Sequence, residues 1–267
     1  MSEAELEARV ATHYGGGGIT ELILADLEVN GFDPATRPAA RPFESFHIGG
    51  AEAVEHLLDA MPDLDGAAVL DIGCGVGGTS RALARRGAIA TGVDLTPEFV
   101  ETARALSGLV GSQGIAFEVG SALDLPFAAG SFDHAVMIHV GMNIADKPKA
   151  MAEAARVLRP GGTFAIYDIM RIAPGELTYP LPWALDEATS FPAAPRDYLA
   201  AARAAGFAEI ARATRADYGI AALGAQIEND PTGTILVGPR VGRVRNLLDE
   251  MRAGRLAPVE MVLRLTM

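Results

Sequence analysis

The chain has 267 residues, of which 49% are hydrophobic and 21% charged, values that exclude a disordered chain and predict one domain with an added cover. Its net charge is −12, from 22 basic and 34 acidic residues, and this excludes a broad surface for nucleic acids or anionic membranes. The single cysteine, Cys74, excludes an internal disulfide framework and a multi-cysteine zinc site, so we expect no metal.

The first 65 residues mix helical patterns with loop signals. Helices are predicted over 3–14, 19–29 and 51–61, with a run of four glycines at Gly15–Gly18 and a proline-rich connector over 33–42. We expect residues 1–65 to form a helical lid that hinges at the glycines, with Tyr14 touching the donor or acceptor. Phe43, Phe46 and His47 lie in the same predicted cover. The alternative is that these aromatic residues only pack the added helices.

Short apolar strands alternate with helices from about residue 66, which is typical of parallel α/β units. Strands are predicted over 67–72, 88–93, 115–119, 132–139 and 162–170, with helices over 78–86, 96–106 and about 146–158. Thr96-Pro97 is a helix start, because a hydroxyl residue precedes a proline at the first helical position.

The alternation is interrupted after the fifth strand. Residues 171–193 are rich in proline and aromatic residues and predict a cover insertion. A helix over 197–205, a strand over 208–216, a helix over 241–252 and a closing strand over 258–266 follow, whereas 217–237 shows no clear pattern. The prediction for 66–267 is therefore a Rossmann-like doubly wound α/β sheet, mostly parallel, with an antiparallel closing strand.

A glycine-dense turn follows the first strand of this core. Gly73, Gly75 and Gly78 alone are compatible with a dinucleotide site, and hence with an oxidoreductase. Asp71, two residues before Gly73, would repel a pyrophosphate and suits an ammonium group instead. Asp94, at the end of the second strand, can accept hydrogen bonds from ribose hydroxyls. Together they favour a nucleoside–amino-acid ligand; the alternative is that one acid caps a helix and the other merely ends a strand.

Five motifs carry a resemblance to the class I S-adenosylmethionine-dependent methyltransferases over about residues 66–170. They are Asp71-Ile-Gly-Cys-Gly-Val-Gly77, Gly92-Val-Asp-Leu95, Ser121-Ala-Leu-Asp-Leu-Pro-Phe127, Ser131-Phe-Asp-His-Ala-Val136 and Leu158-Arg-Pro-Gly-Gly-Thr-Phe164. The resemblance implies S-adenosylmethionine as cofactor and S-adenosylhomocysteine as product. The cofactor-binding residues it implies are Asp71, Gly73, Gly75, Gly77, Asp94, Leu95, Ser121, Ala122, Leu123 and His139.

Two further segments narrow the resemblance to small-molecule enzymes. Phe46-His-Ile-Gly-Gly50 and the stretch from His139 to Lys147 are similar to sarcosine/dimethylglycine N-methyltransferases and, more distantly, to quinone methyltransferases. His139-Val-Gly-Met142 stands where relatives that act on bases or glutamine carry an Asn/Asp-Pro-Pro-Tyr type motif, which counts against nucleic-acid and protein substrates. The implied activity is methylation of a small molecule, with an amine nitrogen favoured. The alternatives are O- or C-methylation of a phenolic, quinone-like or natural-product acceptor, and a non-catalytic cofactor-binding module.

The acceptor should lie beyond the carboxyl ends of the parallel strands. His139 and Asp168, with Tyr14, are the candidates to orient or deprotonate it, although each could equally have a structural role. The predicted pocket residues are Met142, Asn143, Tyr167, Met170, Tyr179 and Trp183. We expect a cytoplasmic monomer or homodimer, because the acidic N-terminus lacks a signal-peptide pattern and no apolar run approaches the roughly 18 residues that span a bilayer.

Overall fold

The computed structural model describes residues 2–15, 17–29, 47–229 and 241–266. Several sequence predictions lie outside these residues: Gly16 of the glycine run, the connector over 33–42, Phe43 and Phe46 of the cover, and 230–237 of the segment without a pattern.

Seven strands form one sheet in the order β3-β2-β1-β4-β5-β7-β6. The strands are β1 Ala68–Ile72, β2 Ile89–Asp94, β3 Ile115–Val119, β4 Phe132–Ile138, β5 Leu158–Arg171, β6 Phe207–Thr214 and β7 Leu256–Leu265. β1 to β5 pair in parallel, and β7 is antiparallel to both of its neighbours, β5 and β6. The predicted doubly wound sheet with an antiparallel closing strand is confirmed.

Nine helices flank the sheet in the part of the chain that is described. They are α1 Glu3–Tyr14, α2 Ile19–Val29, α3 Gly50–Asp59, α4 Gly78–Arg85, α5 Pro97–Leu109, α6 Lys147–Val157, α7 Pro195–Ala204, α8 Ala216–Asn229 and α9 Val241–Arg252. α8 occupies much of the segment in which the sequence shows no pattern. None of the described helices combines the length and the apolar character that crossing a bilayer requires.

Both faces of the sheet are covered by helices, and the central strands are therefore apolar along most of their length. α6 and α7 cover one face, where Met151 and Tyr198 are buried. α3 and α4 cover the other, with Leu57 and Leu83 fully buried. β1 has β2 on one side and β4 on the other, so the chain order reverses there, and the carboxyl ends of these strands leave room for a ligand.

The N-terminal block divides into two parts that contact the core differently. α3 packs within the central core through Leu57, whereas α1 contains no fully buried residue. α1 is linked to α6 by the ion pair between Glu3 Oε1 and Lys149 Nζ, 2.7 Å apart. The backbone amides of Gly17 and Ile19 donate to the Glu98 carboxylate at the start of α5, at 3.1 and 2.9 Å. α1 and α2 thus lie across the carboxyl edge of the sheet.

Candidate active site

A cavity of about 930 Å³ lies at the carboxyl ends of the central strands. α1, α8 and α9 contribute its outer walls, so it is bounded by parts of the chain that are distant in sequence. The predicted site residues that line it are Tyr14, Asp71, Gly73, Gly75, Asp94, Leu95, Ser121, Ala122, Leu123, His139, Met142, Asn143 and Trp183.

The turn after β1 is held against the end of β2 by its backbone. The amides of Gly73 and Cys74 donate to the Val93 carbonyl at 2.7 and 3.0 Å, and the Gly75 amide donates to Asp94 Oδ2 at 2.9 Å. Gly73 has a φ of 73°, and a Cβ there would collide with the side chain of Val140. Cys74 is buried, and burial raises its pKa well above the usual range. Cys74 therefore fills space in the turn and is not a nucleophile.

Two carboxylates of the cavity wall flank this turn. Asp71 is buried and accepts a hydrogen bond from Ser80 Oγ at 2.7 Å, and burial raises its pKa to about 7. Asp94 also accepts from the Thr96 amide at 2.8 Å, and burial raises its pKa. The N-cap of α4 is Gly77, which has no side chain to cap the helix, and Asp71 contacts the first turn of α4 through Ser80. A desolvated carboxylate beside the turn suits a positively charged ligand group.

The loop after β3 forms a third part of the cavity wall. Ser121 Oγ accepts from the Leu123 amide at 2.9 Å and donates to the Glu7 carboxylate of α1. Ser121, Ala122 and Leu123 line the cavity beside α1, on the same side as the turn and Asp94. The loop and α1 therefore meet at the edge of the cavity.

His139 directly follows β4 and adopts a backbone conformation that is rare for a side chain of its size. Its φ is 54°, and its amide donates to the Tyr167 carbonyl at 2.7 Å. The imidazole ring lies 5.8 Å from that of His47, between ring centroids. The Nε2 atoms of both are buried and accept or donate no hydrogen bond within the described residues. Burial lowers the pKa of His47 to about 4 and that of His139 well below its usual value, so both rings are neutral.

Tyr14, at the end of α1, reaches the turn after β4. Its hydroxyl and the Asn143 side-chain amide exchange hydrogen bonds at 3.3 and 3.4 Å. The neighbouring His13 Nε2 lies 3.1 Å from the Pro182 carbonyl of the cover insertion. Trp183 of that insertion is buried and donates to Ser190 Oγ at 2.9 Å. The two predicted covers therefore meet over the cavity.

Five predicted site residues do not line the cavity, and their expected contacts with ligands need correction. Asp168 and Met170 project from β5 toward α6 and α7, while Tyr167 projects to the opposite face, because side chains alternate along a strand. Tyr179 packs in the apolar cluster behind the cover. At Gly77, the space that a side chain would need is filled by the side chains of Phe117 and Arg81.

The Asp168 carboxylate instead belongs to a buried polar network behind the cavity wall. Tyr198 Oη donates to Asp168 Oδ2 at 2.5 Å, and burial raises the pKa of Asp168 to about 6. Lys147 Nζ lies 5.4 Å from the Tyr198 ring centroid and donates to the carbonyls of Ile144 and, at 2.9 Å, Phe191. Burial lowers the pKa of Lys147 to about 8. The network joins β5, α6 and α7 to the turn at 141–143 and to the end of the cover.

The sequence analysis did not predict that α8 and α9 line the cavity, and it assigned His47 only to the N-terminal cover. The lining residues it missed on these two helices are Ala222, Leu223, Ala225, Gln226, Ile227, Asn229, Val244 and Leu247. A helical apolar pattern over 216–229 could have indicated α8, but it could not have shown which face meets the ligand.

Comparison with known proteins gives a family for part of the chain. Residues 70–166 match the family described as "Methyltransferase domain". Ajmaline N-methyltransferase from Rauvolfia serpentina is 38% identical over 100 residues, covering 37% of this chain and 34% of that protein. Ubiquinone biosynthesis O-methyltransferase from Xanthomonas oryzae pv. oryzae is 39% identical over 115 residues, covering 43% and 48%. The chain thus spans about a third to a half of the length of these two relatives.

The fold also matches solved structures. A chain from Galdieria sulphuraria described as a sarcosine dimethylglycine methyltransferase superposes with a TM-score of 0.67 at 22% identity, covering 80% of this chain and 84% of that one. At this identity the match concerns the fold. The predicted resemblance to small-molecule methyltransferases is confirmed, and because the relatives include N- and O-methylating enzymes, they do not distinguish the acceptor atom.

Proposed function

We propose that this chain, whose residues 70–166 form a methyltransferase domain, transfers a methyl group from S-adenosylmethionine to a small-molecule acceptor. The observation that carries the proposal is the pair of carboxylates, buried Asp71 and half-buried Asp94, on either side of a glycine turn in the wall of one large cavity. A dinucleotide would bring a pyrophosphate to this turn, where Asp71 would repel it.

The residues present fit the three chemical parts of the cofactor. Asp71 would hold the ammonium of the methionine part, and Asp94 would accept from the ribose hydroxyls. Ser121 and Leu123 would flank the adenine, which α1 covers through Glu7. When bound, the cofactor supplies an electrophilic methyl group on a sulfonium.

The remaining part of the cavity would bind the acceptor. Transfer requires the acceptor atom within about 3–3.5 Å of the methyl carbon and in line with the bond that breaks. Tyr14 of α1 contacts Asn143 in the turn after β4, and His13 contacts Pro182 of the cover insertion, which would exclude water from this space. The sequence resemblance favours an amine, which needs no strong base, whereas a hydroxyl must lose its proton. His139 is the predicted orienting group in either case.

Isothermal titration calorimetry tests the cofactor assignment. We expect S-adenosylmethionine and S-adenosylhomocysteine to bind with 1:1 stoichiometry and NAD(P) not to bind. Asp94→Ala should weaken binding at least 10-fold, because each hydrogen bond to a charged group contributes about 1.5–3 kcal/mol. Asp65→Ala, an exposed acid distant from the cavity, is the matched control. A folded Asp94→Ala protein with unchanged affinity would contradict the placement.

Turnover distinguishes an enzyme from a non-catalytic module with the same fold. Formation of S-adenosylhomocysteine should be measured over panels of amines, hydroxyl compounds and quinone-like compounds. Cofactor binding without turnover on every panel would favour the binding module, and binding of NAD(P) alone would favour the oxidoreductase.

A further inference from the structure

We infer that the acceptor is an uncharged, mainly apolar molecule that is methylated on a hydroxyl oxygen, and that His47 and His139 together bind that hydroxyl. The inference rests on the proposed function and names the substrate class for the part of the cavity beyond the cofactor-binding turn. His47 thereby becomes a binding residue for the acceptor.

The walls of the cavity indicate an apolar acceptor. At about 930 Å³, the cavity is at the upper end of the roughly 300–1,000 Å³ of a single ligand pocket, which leaves room for an acceptor beside the cofactor. Away from Asp71 and Asp94, its lining includes side chains of one apolar cluster, among them Ile48, Met142, Trp183, Leu223, Val244 and Leu247. A small polar amine would leave most of this surface without contact.

The imidazole rings of His47 and His139 are polar groups in the wall of the cavity. The two rings lie 5.8 Å apart, and each has a buried Nε2 without a hydrogen-bond partner in the described ranges. An unpaired buried polar atom costs about 1–3 kcal/mol, and a ligand hydroxyl that pairs with it recovers that energy. The unusual φ of His139 is consistent with a ring held for a ligand rather than for packing.

The charges around the pair favour an uncharged partner. Among the described residues, the titratable groups in ring contact with the pair are each other and Tyr167, at 5.1 Å from His139 and 6.5 Å from His47, and burial raises the pKa of Tyr167 so that it stays neutral. Asp168 projects to the other face of the sheet and is bound by Tyr198. Glu3, Glu7 and Asp146 also line the cavity, and they are paired with Lys149 Nζ, Ser121 Oγ and the Lys149 amide.

The transfer balances with these groups alone. A lone pair of the hydroxyl oxygen forms the C–O bond while the bond between methyl carbon and sulfur breaks, and sulfur keeps that electron pair as a neutral thioether. The hydroxyl proton passes to an imidazole nitrogen of the pair and then to solvent. A weak base is sufficient, because the proton becomes strongly acidic as the oxygen acquires positive charge.

Matched acceptors test the inference. 2-Naphthol and 2-naphthylamine, octanol and octylamine, and sarcosine should each be incubated with S-adenosylmethionine, with the products identified by mass spectrometry. We expect O-methyl products from the apolar hydroxyl compounds. At saturating S-adenosylmethionine, their rate should change less than twofold between pH 6 and 8, because both histidines are already neutral there. An alkylamine with a pKa of roughly 10 would instead react about 10-fold faster per pH unit.

Variants test the role of the pair. His47→Gln and His139→Gln should each lower kcat/KM for the hydroxyl acceptor at least 10-fold. His47→Gln should leave the Kd for S-adenosylhomocysteine within twofold, and far-UV circular dichroism shows that both variants fold. His56→Gln, an exposed histidine of α3, is the control and should keep full activity.

The outcomes separate this inference from the proposed function. N-methyl products alone, cofactor binding with no turnover of any hydroxyl compound, or full hydroxyl activity in both variants would overturn the inference. Failure to bind S-adenosylmethionine at all would overturn the proposed function itself.

Discussion

Asp71 is the residue whose ionisation should control cofactor affinity. Its pKa is raised to about 7, first by burial and further by the charge of Asp94, while Ser80 and Arg81 act in the opposite direction. An ammonium partner would favour the ionised form, so the complex would hold Asp71 charged. Below pH 7 the free protein carries a proton that binding must displace, and affinity is lost as the pH falls.

The expected pH profile for S-adenosylhomocysteine follows from this value. Affinity should rise by about twofold or less above pH 7, fall about fivefold between pH 7 and 6, and approach a 10-fold loss per unit below that. Calorimetry from pH 5.5 to 7.5 measures it, in a window below the α-amino pKa of roughly 8. Asp71→Asn should bind more weakly at pH 7.5 and show no such slope. Asp94 also has a raised pKa, so an unchanged slope in Asp71→Asn would assign the proton to another group.

At the scale of one element, α1 should open and close over the cavity. It has no buried residue and, besides the apolar packing of Tyr14, is attached by partly exposed polar contacts such as Glu3–Lys149, and exposed ion pairs contribute only about 0–1 kcal/mol. We expect amide exchange over residues 3–14 to slow when S-adenosylhomocysteine binds, because Glu7 and Tyr14 line the same cavity as the cofactor residues. Exchange in the second half of α5 is the internal reference.

A substitution of Lys149, which forms the ion pair with α1, makes this test more specific. Lys149→Ala should speed exchange in α1 within the complex, whereas Arg196→Ala, an exposed cation at the start of α7, should not. Equal exchange of α1 with and without S-adenosylhomocysteine would show that the helix is a fixed part of the wall.

The buried network of Asp168, Tyr198 and Lys147 should position the turn after β4. Tyr198→Phe removes the hydroxyl that donates to Asp168 and should destabilise the protein by about 1.5–3 kcal/mol. Because this network supports the turn at Met142 and Asn143, the KM for the acceptor should rise several-fold. The Kd for S-adenosylhomocysteine should stay within twofold. Tyr179→Phe, outside the network and the cavity, is the control, and an unchanged KM in Tyr198→Phe would show that the network only stabilises the fold.

The cofactor half of the site was predictable because its geometry is local. Asp71 and Gly73 lie within one strand–turn–helix unit, and Asp94 ends the adjacent strand, so short motifs bring these residues together. The other half depends on long-range packing. Because side chains alternate along β5, those of Tyr167 and Asp168 point to opposite faces of the sheet. Which face each residue takes is set by the register with the neighbouring strands. No local sequence pattern predicts that α8 and α9 form a wall of the cavity.

At the scale of the whole molecule, the cavity joins segments from both ends of the chain. Its walls run from Ser2 in the N-terminal segment to Leu247 in α9, through the turn at Gly73 and the loop at Ser121. These walls come together only in the folded chain, so a ligand that fills the cavity stabilises the native state against unfolding. The stabilisation should therefore register in a single global transition.

The expected stabilisation by the ligand follows from its concentration relative to its Kd. S-adenosylhomocysteine at 100 times its Kd should contribute about 2.7 kcal/mol, which corresponds to a rise in Tm of roughly 5–10 °C for a chain of this size. Calorimetric unfolding with and without ligand measures the rise, and Asp94→Ala at the same ligand concentration should show a smaller one. If the ligand bound at saturation but raised Tm by less than 2 °C, or raised it only for one of two resolved transitions, the cavity would not unite both ends of the chain in one cooperative unit. The described contacts of α1 with α6 and the cover are few and polar. A rise in Tm that is confined to the unfolding of the sheet would therefore show that the N-terminal helices open separately from it.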